Sequence, residues 1–180
     1  MGVERRFAAV IVADVVGYSR LMGADELGTL TTLHEHRLKL IEPSIAACRG
    51  RIVKTTGDGI LIEFADAVDA VTCAMTVQSK MRERNDSAAQ AVLFRVGINV
   101  GDIIVHEGDI FGDCVNIAAR IENECEPGGV YLSDRAFEQV RGKIGFAFDD
   151  LGERSLKNID RPVRLFALRV PSPEAAPASP

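Results

Sequence analysis

The feature that most constrains this chain is the tripeptide Gly57-Asp58-Gly59, set between two runs rich in β-forming residues, Arg51 to Thr56 and Ile60 to Phe64. Asp-Gly in that setting is a strong short-range hairpin signal, because a turn with positive φ matches the right-handed twist of the strands it joins. A hairpin makes the two strands antiparallel neighbours. The fold is therefore not a regular alternation of strand and helix, and this disfavours a phosphoacceptor receiver with Asp14 or Asp58 as acceptor and Lys54 nearby.

The rest of the pattern is consistent with a sheet built around that hairpin. Phe7 to Ala13 is an apolar run closed by Asp14 and Gly17, as expected of a fully buried central strand. From about Ala24, the residues Leu27, Leu30, Leu33, Leu38, Ile41, Ile45 and Cys48 recur at helical spacing, with Pro43 a kink or restart and Gly50 the end. Asp66 and Asp69 open a second helix with Val68, Val71, Met75, Val77 and Met81 on its apolar face. Phe94 to Val105 alternates loosely around Gly97 and Gly101, and the polar turn His106-Glu107-Gly108-Asp109 leads into a helix around Val115 to Glu124. Short strands are expected at Val130 to Leu132 and Phe146 to Leu151, a helix at Asp134 to Val140, and a last strand at Arg164 to Val170.

The order strand, helix, strand, strand, helix, strand predicts an α+β fold: a ferredoxin-like βαββαβ core with C-terminal strand and helix additions, its mostly antiparallel sheet flanked by helices. Residues 1–170 are read as one domain. Residues 171–180, PSPEAAPASP, are read as a disordered linker towards a regulatory module.

Charge narrows the partners. Twenty-one basic against 26 acidic side chains leave a formal net charge of -5, the opposite of what counterion release from nucleic acid requires. An anionic substrate must then meet positive charge gathered locally, from a few side chains or from bound cations. Cys48, Cys73, Cys114 and Cys125 form no C-x-x-C pair and lie in apolar segments, which reads as buried thiols in the reducing cytoplasm. The N-terminal apolar run is too short for a signal or spanning segment.

Two groups of residues carry chemistry. Asp14, at the end of the buried strand, and Asp58, at the hairpin tip, are expected to converge on one sheet edge. Two hard oxygen donors there suit Mg²⁺, which takes one or two carboxylates and completes its shell with water and phosphate. After Asp14, the turn Val15-Val16-Gly17-Tyr18-Ser19 is placed to aim backbone N–H groups of Gly17 and Ser19 at a phosphate, or is simply a turn. Asn116 and Arg120, four apart, share a helical face. His34, His36 and His106 lack partners at metal-ligand spacing and are read as surface or structural residues.

Taken together, Phe7 to Ser19 (FAAVIVADVVGYS), Lys54 to Gly59 (KTTGDG) and Gly108 to Arg120 (GDIFGDCVNIAAR) resemble the catalytic domain of class III adenylyl cyclases, over about Phe7 to Val170 and in the family's motif order. The resemblance implies that Asp14, Asp58 and the backbone carbonyl of Val15 bind two Mg²⁺ or Mn²⁺ ions. It implies that Lys54 and Asp109 read adenine and favour ATP over GTP, guanylyl cyclases of the family having Glu and Cys or a similar small residue at those places. It further implies that Asn116 orients the ribose, Arg120 stabilises charge on the α-phosphate, and Lys157, or Arg161 in its stead, contacts the triphosphate. Asp102 departs from the basic residue that some members carry after the glycine corresponding to Gly101. The implied product is 3′,5′-cyclic AMP, and the implied assembly a homodimer with composite sites. The alternatives are a guanylyl or relaxed-specificity cyclase and a silent dimerisation module of the same fold. A diguanylate cyclase is disfavoured by the absence of a G-G-D-E-F sequence.

Overall fold

The computed structural model describes residues 2–171, so residues 172–180 of the expected linker lie outside it. Eight strands form one sheet: β1 (Glu4–Val15), β2 (Arg51–Thr56), β3 (Gly59–Phe64), β4 (Phe94–His106), β5 (Asp109–Phe111), β6 (Val130–Ser133), β7 (Phe148–Arg154) and β8 (Val163–Leu168). Their spatial order is β2-β3-β1-β4-β6-β8-β7, with β5 paired to β4. Only β4 and β6 run parallel. The first four strands reproduce the expected ferredoxin-like arrangement, and β6, β8 and β7 extend it beyond β4.

Helices cover both faces. These are α1 (Tyr18–Ala24), α2 (Glu26–His36), α3 (Glu42–Ala47), α4 (Ala67–Asp86), α5 (Asp113–Glu124) and α6 (Asp134–Val140). On one face Ala9, Ile11 and Ala13 of β1 pack with Val96 and Ile98 of β4 against Val71 and Ala74 of α4. On the other, Ala8 and Val10 of β1 pack with Leu61 and Ile103 against Cys114 and Ala118 of α5. β1 is therefore apolar at successive positions because both its faces are covered, which a half-solvated strand would not be.

Several boundaries differ from the pattern reading. A helix already starts at Tyr18, and Asp25 breaks it before accepting a hydrogen bond from the Gly28 N–H at 3.0 Å to cap α2. Between α2 and α3 the residues Arg37–Ile41 form a π-helical turn, after which Pro43 sits in the first turn of α3, where its missing N–H is not needed. The turn Glu107-Gly108 does not lead straight into a helix, because Asp109–Phe111 first pairs back onto β4. β7 starts at Phe148 and continues to Arg154 through an irregularity after Asp150. Among the described residues no helix is long and apolar enough to cross a membrane.

One glycine sets the distance between sheet and helix. A Cβ on Gly97 would lie 2.4 Å from the Glu122 nitrogen and 2.5 Å from the Ala118 carbonyl oxygen. Only a residue without a side chain lets α5 sit this close to β4, and α5 carries much of the candidate site.

Candidate active site

The β1–β3 register places Asp14 opposite Gly59, the residue after Asp58. Both aspartates accordingly line one cavity of about 280 Å³, together with Lys54 and Thr56 of the hairpin and Val115 and Ala119 of α5. The expected convergence of Asp14 and Asp58 is thus present. Val15 ends β1 and is buried, while Gly17 takes a left-handed φ of 66° as α1 begins and Ser19 is exposed in its first turn.

Asp14 meets no base. Its Oδ1 is buried without a hydrogen-bond donor, and so is Oε1 of Glu122 on α5; these are the only two such side-chain atoms among the described residues. Glu122 is 3% exposed. Burial first, and then the neighbouring Asp14, push the Glu122 carboxyl well above the ordinary carboxylate range, which favours its protonated form. Arg95 offsets this only in part, its Nε donating to the Cys125 carbonyl at 2.9 Å. Pattern reading missed Glu122, although a carboxylate four residues after Ala118 on a buried helical stripe was a signal.

The donor set fits a divalent cation. Among the described residues no group of three or more His, Cys, Asp or Glu side chains is arranged to hold a metal ion. Two carboxylates, one with a buried oxygen lacking any donor, nevertheless match the donor count of Mg²⁺ sites completed by water and substrate phosphate.

The opposite end of this sheet face is fully paired. Lys54 donates to Oδ2 of Asp109 at 3.0 Å, and the Ile110 N–H donates to its Oδ1 at 2.7 Å. The Lys54 ammonium, with help from that N–H, holds the Asp109 carboxyl below its usual range. A bulge between Ile52 and Lys54 makes the pair possible: Arg51 pairs with Glu63 and Lys54 with Leu61, so Arg51 and Lys54 share a face despite being three residues apart.

The remaining residues are dispersed. Cys114, Ala118, Ile121 and Glu122 are the buried side of α5; Asn116 is exposed and Arg120 half-buried. Asn116 follows Val115 and Arg120 follows Ala119, each about 100° around the helix from that neighbour, and Val115 and Ala119 line the Asp14–Asp58 cavity. Neither Asn116 nor Arg120 lines that cavity. Lys157 is exposed after buried Leu156, whereas Arg161 lines a separate cavity of about 690 Å³ with Arg5, Arg135 and Asp102. That cavity shares no lining residue with the one at Asp14 and Asp58. All four cysteines are free thiols, and burial pushes Cys73, Cys114 and Cys125 up to about 12.

A split βαββαβ sheet brings Asp14 and Asp58 to one cavity, and Lys54, which lines it too, pairs with Asp109. Residues 5–169 match the family model of the adenylate and guanylate cyclase catalytic domain, and the chain belongs to that family. A Rhizobium meliloti (strain 1021) protein with the provisional name adenylate cyclase 3 is 46% identical over 166 residues, 91% of this chain and 28% of that protein. An adenylate cyclase of Streptomyces coelicolor is 36% identical over 140 residues, 76% of this chain and 34% of that protein. The chain therefore spans about a third of the length of these relatives. A crystal structure of an adenylate/guanylate cyclase/hydrolase from Silicibacter pomeroyi superposes with a TM-score of 0.88 at 43% identity, covering 95% of this chain and all of that one.

Proposed function

We propose that the chain is an adenylate cyclase that converts ATP to 3′,5′-cyclic AMP and pyrophosphate in the cytoplasm, as a homodimer with composite sites. The observation that carries this reading is the convergence of Asp14 and Asp58 on one cavity to which Asn116 and Arg120 of the same chain do not contribute. Groups that do not line the cavity of the carboxylates they would serve suit a site completed by a second copy. Family membership supplies nucleotide cyclisation as the chemistry.

In this reading Asp14, Asp58 and the Val15 carbonyl hold two divalent cations, Mg²⁺ or Mn²⁺. Bound there, the cations lower the pKa of the ribose 3′-hydroxyl and neutralise triphosphate charge. Lys54 donates to adenine N1, and Asp109 accepts from the exocyclic amine. Asn116 orients the ribose, so that O3′ lies in line with the α-phosphorus. O3′ gives up its proton to Asp14, to water or to a substrate phosphate oxygen as its bond to the α-phosphorus forms; the bond from that phosphorus to the bridging oxygen breaks, and pyrophosphate leaves. Arg120 donates to the α-phosphate oxygens as their charge grows. Lys157 or Arg161 holds the departing phosphates, with Gly17 and Ser19 contributing N–H groups.

The test is incubation of the purified protein with ATP or GTP and each metal, reading cyclic nucleotide and pyrophosphate across a protein concentration series. The expected result is cyclic AMP, with ATP preferred, and activity per milligram rising with concentration. Asp14→Ala and Arg120→Ala should each be nearly inactive and recover about a quarter of wild-type activity on mixing, since random exchange makes half the dimers mixed with one intact site of two. No recovery, with exchange shown by mass spectrometry, removes the shared site; equal turnover of GTP removes the adenine assignment.

A further inference from the structure

Glu63 breaks an otherwise apolar strand, Ile60-Leu61-Ile62-Glu63-Phe64, and its side chain is 7% exposed. Two guanidinium groups converge on it. Arg6 of β1 donates from Nε to Oε2 at 2.7 Å and from Nη2 to Oε1 at 2.9 Å, and Arg51 of β2 donates from Nη2 to Oε1 at 2.8 Å. Burial alone would raise the Glu63 carboxyl, but these hydrogen bonds outweigh it and hold the group ionised below its usual range.

Arg51 has a second partner. Its Nη1 donates to the carbonyl oxygen of Gly108 at 3.1 Å. Gly108 is the last residue of the β4–β5 turn, where Glu107 and Gly108 both have positive φ, 51° and 80°. Asp109 follows directly. β5 has only three residues and pairs only with β4, so little in its own ladder holds it against β2. The direct link, Lys54 to Asp109, is an ion pair between side chains 48% and 30% exposed, and solvent weakens such pairs. Arg51 supplies a second link: its bond to the Gly108 carbonyl is exposed, but its other end is fixed on the buried Glu63 carboxylate.

We propose that Glu63, acting through Arg51, is a positioning residue for purine selection: it anchors the β4–β5 turn to β2 and so sets the separation of Lys54 and Asp109. This rests on the reading above that Lys54 and Asp109 contact the base. Arg6 closes the second edge of the carboxylate and keeps Glu63 aimed at Arg51. Neither Glu63 nor Arg51 touches the substrate. Releasing Arg51 lets the turn drift, and the donor and acceptor no longer match N1 and the exocyclic amine together.

The experiment compares wild type with Glu63→Gln, Arg51→Ala and Arg51→Lys, alongside Lys54→Glu combined with Asp109→Cys. Readouts are kcat and KM for ATP and GTP, binding of the non-cyclisable 3′-deoxy-ATP and 3′-deoxy-GTP, and thermal midpoints. Glu63→Gln and Arg51→Ala are expected to lower the ATP-to-GTP ratio of kcat/KM by about tenfold, mainly through the KM for ATP, with the same shift in the 3′-deoxy binding ratio. Arg51→Lys keeps the charge but not the fork, so it should resemble Arg51→Ala. Added to the Lys54–Asp109 double variant, Glu63→Gln should change the ratio no further.

A fall in kcat and stability with both ratios unchanged would make the network merely structural and overturn the proposal. If the Lys54–Asp109 variant shifts the ratios while the Glu63 and Arg51 variants do not, base reading stands and the positioning role falls. If the Lys54–Asp109 variant shifts nothing, base reading fails and the proposal falls with it. Should Glu63→Gln not fold, the half-exposed Arg51 gives the same answers.

Discussion

The two ends of the sheet face under α5 handle their carboxylates in opposite ways. At the Asp14 end, Asp14 and Glu122 each bury one oxygen atom without a hydrogen-bond partner, and burial favours the protonated Glu122 carboxyl. At the Asp109 end every carboxylate is matched: Glu63 by Arg6 and Arg51, and Asp109 by Lys54 and a backbone N–H. The contrast separates two tasks. In the proposed reading, carboxylates without paired donors receive cations together with the substrate, whereas the lysine–aspartate pair is aligned beforehand for the base.

The largest effects should fall on turnover at the uncompensated end. Asp14→Asn or Asp58→Asn is expected to reduce kcat by at least about 100-fold, as for loss of a group stabilising transition-state charge. Asp109→Asn should cost no more than about tenfold in kcat and act mainly on the ATP-to-GTP ratio. Steady-state assays with both nucleotides would measure the two, and equal losses would erase the distinction.

Next comes the spacing that α5 depends on. Gly97→Ala puts a methyl group into the Ala118–Glu122 backbone and should destabilise by about 3 kcal/mol, or about 6–12 °C in thermal midpoint. Differential scanning calorimetry would check it. Hydrogen exchange should show the loss of protection in α5 and not in the β2–β3 hairpin.

Neutralising one buried carboxylate at each end should give opposite signs. Glu63→Gln leaves two guanidinium groups short of an anion and is expected to cost about 1–3 kcal/mol. Glu122→Gln keeps the shape of a neutral carboxyl and should be neutral or slightly stabilising at pH 7. Urea melts would decide, and a matching loss in both would show that the Asp14 end is compensated after all.

The smallest effect is in pH dependence. Glu63 has its folded pKa depressed, so its contribution is present above the unfolded value, about 4.3, and is lost as pH falls through the lower folded value. Glu122 has its folded pKa raised, so its contribution is full below about 4.3 and is lost as pH rises towards the folded value. Relative to wild type, Glu63→Gln should lose less stability between pH 5 and 3, and Glu122→Gln should lose less as pH rises from 5 to 8. The Glu63 difference should be about 1 kcal/mol. Parallel curves for wild type and variant would contradict the shift concerned.

What was legible beforehand follows from how local each signal is. The Asp58 hairpin, the buried β1 strand and the stripes of α4 and α5 come from neighbours within about two turns or one strand, and pattern reading placed them closely. The start of α1 at Tyr18 was missed because the expected helix was anchored on leucines beginning at Leu27. β5 was missed because a three-residue strand exists only through its pairing with β4. The bulge after Ile52 left no mark either, since one extra residue changes no composition and yet decides which side of β2 Lys54 faces.

By itself the sequence determined the βαββαβ order, the antiparallel hairpin, and a set of acidic and basic residues whose spacing resembles nucleotide cyclases. Those properties depend on periodicity and on turn chemistry, both of which are written within short stretches of chain. Tertiary structure alone decided that Asp14 and Asp58 share a cavity, that Glu122 lies against Asp14, that Glu63 reaches Gly108 through Arg51, and that Arg120 lies outside the cavity of its own carboxylates. Each of these depends on strand register and on the close seating of α5 over Gly97. Register and close packing are settled by contacts between residues far apart in sequence, where a shift of one residue would reverse which face every side chain occupies.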